Sequence, residues 1–198
     1  MVSAIESIGP GGRGGDAPLY LETDAFLDYL FHHAEGTPSK EFYDKNTPRH
    51  LTTVQQGNEI TRLADAFATW IALQSDARWR EEHAKTIQDL LQPAHIDGLT
   101  LQEARQVLDC LNCMNSLQLN KHRFLNPQNN TLDKIIAAWK HLLHGNGHEE
   151  DRMHECGDAL RFFGTSSIQE LLGWYYPDRY PIRNYNADAG LRYLGFQV

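Results

Sequence analysis

Apolar residues in this chain recur at intervals of three and four, with no sustained run at intervals of two. That period matches the turn of an α-helix and not the alternation of a strand. Ile60, Leu63, Ala64, Phe67, Trp70 and Ile71 show it most plainly and predict a helix over 58–74. Phe26, Leu27, Leu30 and Phe31 repeat it behind Thr23 and Asp24, either of which offers an N-cap. A third helix is expected over 76–91, with a charged face of Arg78, Arg80, Glu81, Glu82 and Lys85 and with Pro93 past its end. Thr100 followed by Glu103 is a capping-box signature. It opens a helix that carries Leu101, Ala104, Val107, Leu108, Leu111 and Met114. Further helices are expected over 131–143 and 148–163. Strand signals are nearly absent and no internal repeat is visible, so the fold class is all-α. The expected architecture is an irregular array of about seven or eight helices, not a symmetric bundle.

The 198 residues fit one domain, and a 41% hydrophobic content suffices for a sizeable core. Residues 9–15 read GPGGRGG, which supports neither a helix nor a core. Residues 1–18 are therefore read as a flexible glycine-rich leader and 19–198 as a single helical domain. Residues 36–52, with Pro38 and Pro48, form the longest internal loop candidate. Cys110, Cys113 and Cys156 are an odd number of cysteines without a disulfide framework, which suggests a reducing compartment. No apolar run approaches the roughly 20 residues of a membrane span, and 1–18 lack the apolar stretch of a signal peptide. The expectation is a cytoplasmic protein that does not engage a membrane.

A net charge of −8 with ten histidines does not suit a general polyanion binder, because the averaged field repels phosphate. Residues 160–198 differ, with four arginines against three acids. Any nucleic-acid contact has to be local.

The motifs of catalysis are incomplete. Cys110-Leu-Asn-Cys113 has the spacing of a metal or thiol pair, but structural zinc needs four ligands and the other cysteine is isolated. Two small residues on a helix flank is the simpler reading. His141, His144, His148 and His154 are spaced near a helical repeat, with Glu155 and Cys156 beside them, yet Gly145-Asn-Gly147 breaks the helix between them. Neither HExxH nor GxxxxGK[ST] occurs, and kinase and nucleophile-elbow patterns are missing. No catalytic residue, metal ligand or cofactor is assigned; a metal-dependent enzyme using His144, His148 and His154 is the third-ranked reading.

The C-terminal forty residues are the most informative. Thr165 or Ser166 offers a cap for a short helix, with Gln169 or Glu170 one turn on and Ile168, Leu171 and Leu172 as its inner stripe. Two prolines make Pro177-Asp-Arg-Tyr-Pro181 a rigid reverse turn. Asn184 or Asn186 then caps a last helix that buries Leu191 and Leu194. Between the helices lie Tyr176, Arg179, Tyr180, Arg183, Asn184 and Tyr185. Aromatic rings interleaved with guanidiniums suit bases and phosphates, and equally a protein interface. They also suit a structural corner in which tyrosines pack over prolines.

This segment resembles one found upstream of the motor module in McrB-type proteins, the GTPase subunits of modification-dependent restriction systems. The matching elements are Leu171-Leu172, Pro177-Asp178-Arg179-Tyr180-Pro181-Ile182, Asn184, and Leu191 to Gly195, about thirty residues in all. The GTPase motor has no counterpart here, so the resemblance implies a specificity domain or a stand-alone relative. The arrangement also resembles, distantly, the helix-hairpin-helix region of base-excision glycosylases. Their catalytic aspartate would fall at Arg183 or Asn184, neither of which can serve as that carboxylate. The resemblances imply a non-catalytic recognition domain of a restriction or antiviral defence system. It would bind nucleic acid, modified DNA included, or a partner motor subunit through Arg179, Tyr180, Arg183, Asn184 and Tyr185. The arginines would meet phosphate, the tyrosines would stack, and Asn184 would read a base edge. The alternative is an acidic helical adaptor for a basic protein, with no nucleic-acid role.

Overall fold

The computed structural model describes residues 19–32, 49–72, 79–115, 118–183 and 185–198. The leader expected over 1–18, and the loop 36–52 before residue 49, lie outside them. The described residues form ten α-helices and one 3-10 turn, with no strand among them. In chain order these are α1 (Leu19–His32), α2 (Thr53–Ala72), α3 (Trp79–Leu91), the 3-10 turn (Ile96–Gly98), α4 (Leu101–Asp109), α5 (Asn112–Asn115), α6 (Gln118–Phe124), α7 (Leu132–His144), α8 (Glu149–Ala159), α9 (Thr165–Tyr175) and α10 (Tyr185–Tyr193). The fold is thus an all-α irregular array, and no helix of the described residues is long and apolar enough to cross a membrane. The helices pack as two compact units, Met1–Trp79 with Pro181–Val198, and Arg80–Tyr180.

In the first unit, Phe26 and Leu30 of α1 pack with Leu63 and Phe67 of α2, and with Ala187 and Leu194 at α10. Phe26 meets Phe67 edge-on at 5.5 Å, and Tyr29 lies 5.2 Å from Trp70. Thr23 and Asp24 lie inside α1 and do not cap it, and Asp24 is buried. Gly190 allows α10 to approach α1, since a Cβ there would sit 3.0 Å from Leu27 Cδ2. Two long-range bonds close the unit: the Arg49 N–H donates to the Arg192 carbonyl at 3.0 Å, and Gln56 Nε2 donates to that of Leu194 at 2.8 Å.

In the second unit, Phe124, Trp139 and Phe163 form one buried aromatic cluster, with Phe124 5.9 Å from Trp139 and 5.2 Å from Phe163. The Thr100–Glu103 capping box is present. The helix it opens ends at Asp109, however, and α5 restarts at Asn112. Leu108 before the break, Leu111 within it and Met114 after it all stay buried. The break exposes a new helical N-terminus, whose amides need an acceptor. Glu170 supplies one: it is fully buried, and its Oε2 accepts the Cys113 N–H at 3.1 Å. Glu170 therefore serves α5 across 57 residues of sequence. The N-cap of α9 is Gly164, without a side-chain cap, in place of Thr165 or Ser166. Helix α8 stops at Ala159, short of the expected 163. Just beyond it, buried Asn130 takes the Arg161 backbone: Oδ1 accepts its N–H at 3.0 Å and Nδ2 donates to its carbonyl at 2.9 Å.

Truncating the central ring tests this core. Trp139→Ala removes both aromatic neighbours' shared partner and is expected to destabilise the second unit by about 3–5 kcal/mol, read as a lower urea midpoint. An unchanged midpoint would show that the cluster does not hold the unit together.

Candidate functional site

The aromatic end of α9 organises a corner of the second unit. Tyr176 closes the helix, its N–H donating to the Leu172 carbonyl at 2.8 Å, and its hydroxyl donates to the Leu143 carbonyl at 2.9 Å. The Tyr176 carbonyl then accepts the N–H groups of both Arg179 and Tyr180 at 2.9 Å, which makes the expected reverse turn. The rings run edge to face from His144 to Tyr175 (5.4 Å), Tyr176 (4.6 Å) and Tyr180 (5.9 Å). His144 Nε2 donates to the Leu91 carbonyl at 2.8 Å, so it is a fixed structural donor.

Arg179 and Tyr180 are brought together, with the guanidinium carbon 4.9 Å above the ring. Both also meet an acid that the sequence reading did not single out. Glu149 lies 3.9 Å from Arg179 Nη2 and near enough to the Tyr180 phenol to act on its ionisation. Burial, and then Glu149, push that phenol up to about 12. Glu149, Glu150 and Asp151 fill the first turn of α8, where carboxylates complement the helix dipole. With His148 they line a surface depression of about 550 Å³. The corner is aromatic and acidic, with one exposed arginine whose charge is matched.

The other predicted residues belong to the first unit. Arg183 Nε donates to Asp188 Oδ1 at 3.1 Å, and Arg192 approaches the same carboxylate at 4.0 Å. Asn184 lies outside the described residues, and Tyr185 opens α10 with its side chain likewise outside them. The first unit holds a further constellation that periodicity did not suggest. Arg49 sits 4.3 Å over Tyr193 and bonds Glu59 at 3.4 Å, while Arg62 Nε bonds the other Glu59 oxygen at 3.1 Å. The two arginines, Arg62 first, hold the Glu59 carboxyl below its usual range.

The histidines and cysteines do not converge. His141 faces Glu155, His148 and His154 are exposed, and Cys156 is buried. Among the described residues no three His, Cys, Asp or Glu side chains are grouped to hold a metal. Cys110 ends α4, and Cys113 Sγ lies 3.4 Å from the Ser167 hydroxyl. Burial pushes Cys110 up to about 11, and both Cys113 and Cys156 up to about 12. No family model, curated protein or solved structure matches this chain.

These thiols are poor nucleophiles. Against an ordinary thiol pKa of 9.0, a value of about 11 lowers the thiolate fraction at pH 8 by about a hundredfold. Iodoacetamide at pH 8 is thus expected to label the native protein far more slowly than the urea-unfolded chain. Equal rates would contradict the burial of Cys110 and Cys156 and the partial burial of Cys113.

Proposed function

We propose that this chain is a non-catalytic recognition module that docks a basic segment of a protein partner on the Tyr180–Glu149 corner of its second unit. The observation that supports this reading is the pairing of Arg179. The cation a phosphate would need lies over Tyr180 and 3.9 Å from Glu149, beside the carboxylates of Glu150 and Asp151. A phosphate there would meet three carboxylates against the two guanidiniums of Arg179 and Arg152, a net repulsion in which each unit charge at 4 Å is worth about 1 kcal/mol in water. A lysine or arginine would meet the same charges with the opposite sign. Tyr180 adds a flat ring for a cation or an aliphatic stem, and its phenol, held protonated to about 12, is no general base at neutral pH.

The net charge of −8 favours the same class of partner and speeds its encounter. The McrB-type resemblance is compatible with it, the partner then being a motor subunit of a restriction or defence system. Nucleic acid, modified DNA included, is the competing ligand.

The test is a fluorescence-anisotropy titration at low and physiological salt. The probes are a labelled Lys/Arg-rich peptide and duplex DNA with and without modified cytosine. The peptide is expected to bind saturably and to weaken with salt. Tyr180→Ala, and the triple change Glu149→Gln, Glu150→Gln, Asp151→Asn, should each cost at least about tenfold with unchanged circular dichroism. Arg179→Ala should leave peptide binding intact. Saturable DNA binding lost in the Arg179→Ala, Arg183→Ala double variant would replace this reading with the nucleic-acid one.

A further inference from the structure

We propose that the face formed by α4, α6 and Phe162 binds an acidic amphipathic helix of a protein partner, at a surface that shares no residue with the Tyr180 corner. Three independent features meet there.

The first is exposed apolar area. Leu101 is 50% exposed, Leu119 61% and Phe162 42%, in a chain whose other large apolar side chains in this unit are mostly buried. Leu101 and Arg105 of α4 and His122 behind it on α6 line a surface depression of about 510 Å³, with Leu125 in its wall. Leu119 lies one helical turn before His122 and Arg123, on the same side of α6. Exposed Leu101 thus lines the depression and exposed Leu119 stands one turn from its His122, a grouping that distinguishes a docking patch from singly scattered surface residues.

The second is charge. In the same unit Lys85, Lys121, Lys140 and Arg179 each face a carboxylate. Arg105 and Arg123 face none among the described residues. Arg152 and Arg161 face none either, Arg152 donating to the Gly145 carbonyl, but Arg105 and Arg123 are the two that border the exposed leucines. An acidic segment would supply the missing partners.

The third is the backbone at Phe162. Its φ of 64° is left-handed, a region that a phenylalanine adopts only under constraint. The constraint is visible: Asn130 holds the preceding residue by both backbone groups, and Phe163 is buried in the core. Phe162 is left at the surface with the Arg123 guanidinium 5.6 Å over its ring. An aromatic ring is thereby held in place beside an arginine before any partner arrives, which lowers the ordering cost of binding.

Leucines with unpaired arginines match the helix-in-groove mode, in which large apolar side chains at three- and four-residue spacing enter a groove and flanking acids pair at its rim. Single-stranded nucleic acid fits less well. Leucine offers no flat face for a base, and the Phe162 ring is already covered by Arg123.

The experiment uses the full chain and a labelled amphipathic peptide of about four helical turns, with leucines on one face and glutamates on its flanks. Controls carry lysine for glutamate, or glutamine for leucine; a labelled oligothymidine is run in parallel, and light scattering records the oligomeric state. Saturable binding of the Leu/Glu peptide alone is expected, weakened at least about tenfold by Arg105→Glu with Arg123→Glu, and separately by Leu119→Ser. Both sites are exposed, so circular dichroism should not change. Tyr180→Ala should leave this binding unaffected, which separates it from the corner. Failure of the Leu/Glu peptide to bind, or binding indifferent to the arginine reversals, overturns the proposal. Oligothymidine binding that the reversals abolish assigns the face to nucleic acid instead, and self-association that they abolish assigns it to a second copy of this chain.

Discussion

The second unit depends on the burial of three aromatic rings at one point. Phe124 ends α6, Trp139 lies in the middle of α7, and Phe163 follows α8, so a single contact cluster ties three segments together. Each ring removes 150–250 Å² from water, which at about 25 cal/mol per Å² is roughly 4–6 kcal/mol as an upper bound. No hydrogen bond in the unit approaches that magnitude. Polar features are arranged around it. Asn130, between α6 and α7, bonds the carbonyls of Phe124 and Arg161 and so closes the same junction with polar groups. Once Phe163 is inside and Arg161 is clamped, Phe162 has to take a left-handed backbone at the surface. Core packing thus sets the position of an exposed ring.

A second organising feature is the way acids are distributed among cations. Glu59 is shared by Arg49 and Arg62, Asp188 by Arg183 and Arg192, and Glu149 faces Arg179 near the Tyr180 phenol. Exposed pairs of this kind contribute about 0–1 kcal/mol each, so their weight lies less in stability than in what the surface shows to a ligand. An arginine already facing a carboxylate presents little net charge. That moves attention from the arginines of the C-terminal turn to Arg105 and Arg123, whose side chains the described residues leave uncompensated. It also leaves the second unit with an acidic aromatic corner and a face where exposed leucines stand beside arginines.

The buried Glu170 illustrates how far a local reading reaches. In sequence it stands one turn into a helix opened by Thr165-Ser166, where a carboxylate normally serves its own N-terminus. In the fold it points into the core and accepts a backbone N–H from Cys113, 57 residues away in sequence. The partner exists because the helix from Leu101 breaks at Cys110, and that break is not visible in an apolar repeat that runs unbroken through Leu111 and Met114. The same CxxC spacing that suggests metal chemistry is accounted for by this break, with one cysteine ending a helix and the other inside the next.

What the sequence determined by itself is what depends on neighbours along the chain. The all-α class, the Thr100–Glu103 box, the buried stripe of Ile168, Leu171 and Leu172 and the Pro177–Pro181 turn all follow from contacts within one or two helical turns. Periodicity and capping report those directly. The candidate site was legible only as a string of residue types. Tertiary structure decided that Arg179 and Tyr180 meet Glu149, that Arg183 is held by Asp188 within the other compact unit, and that Leu101 and Arg105 line one depression with His122 while Arg123 lies over exposed Phe162. Those outcomes depend on which helices pack against one another, and packing is driven by non-directional burial that many pairings of similar apolar stripes could satisfy.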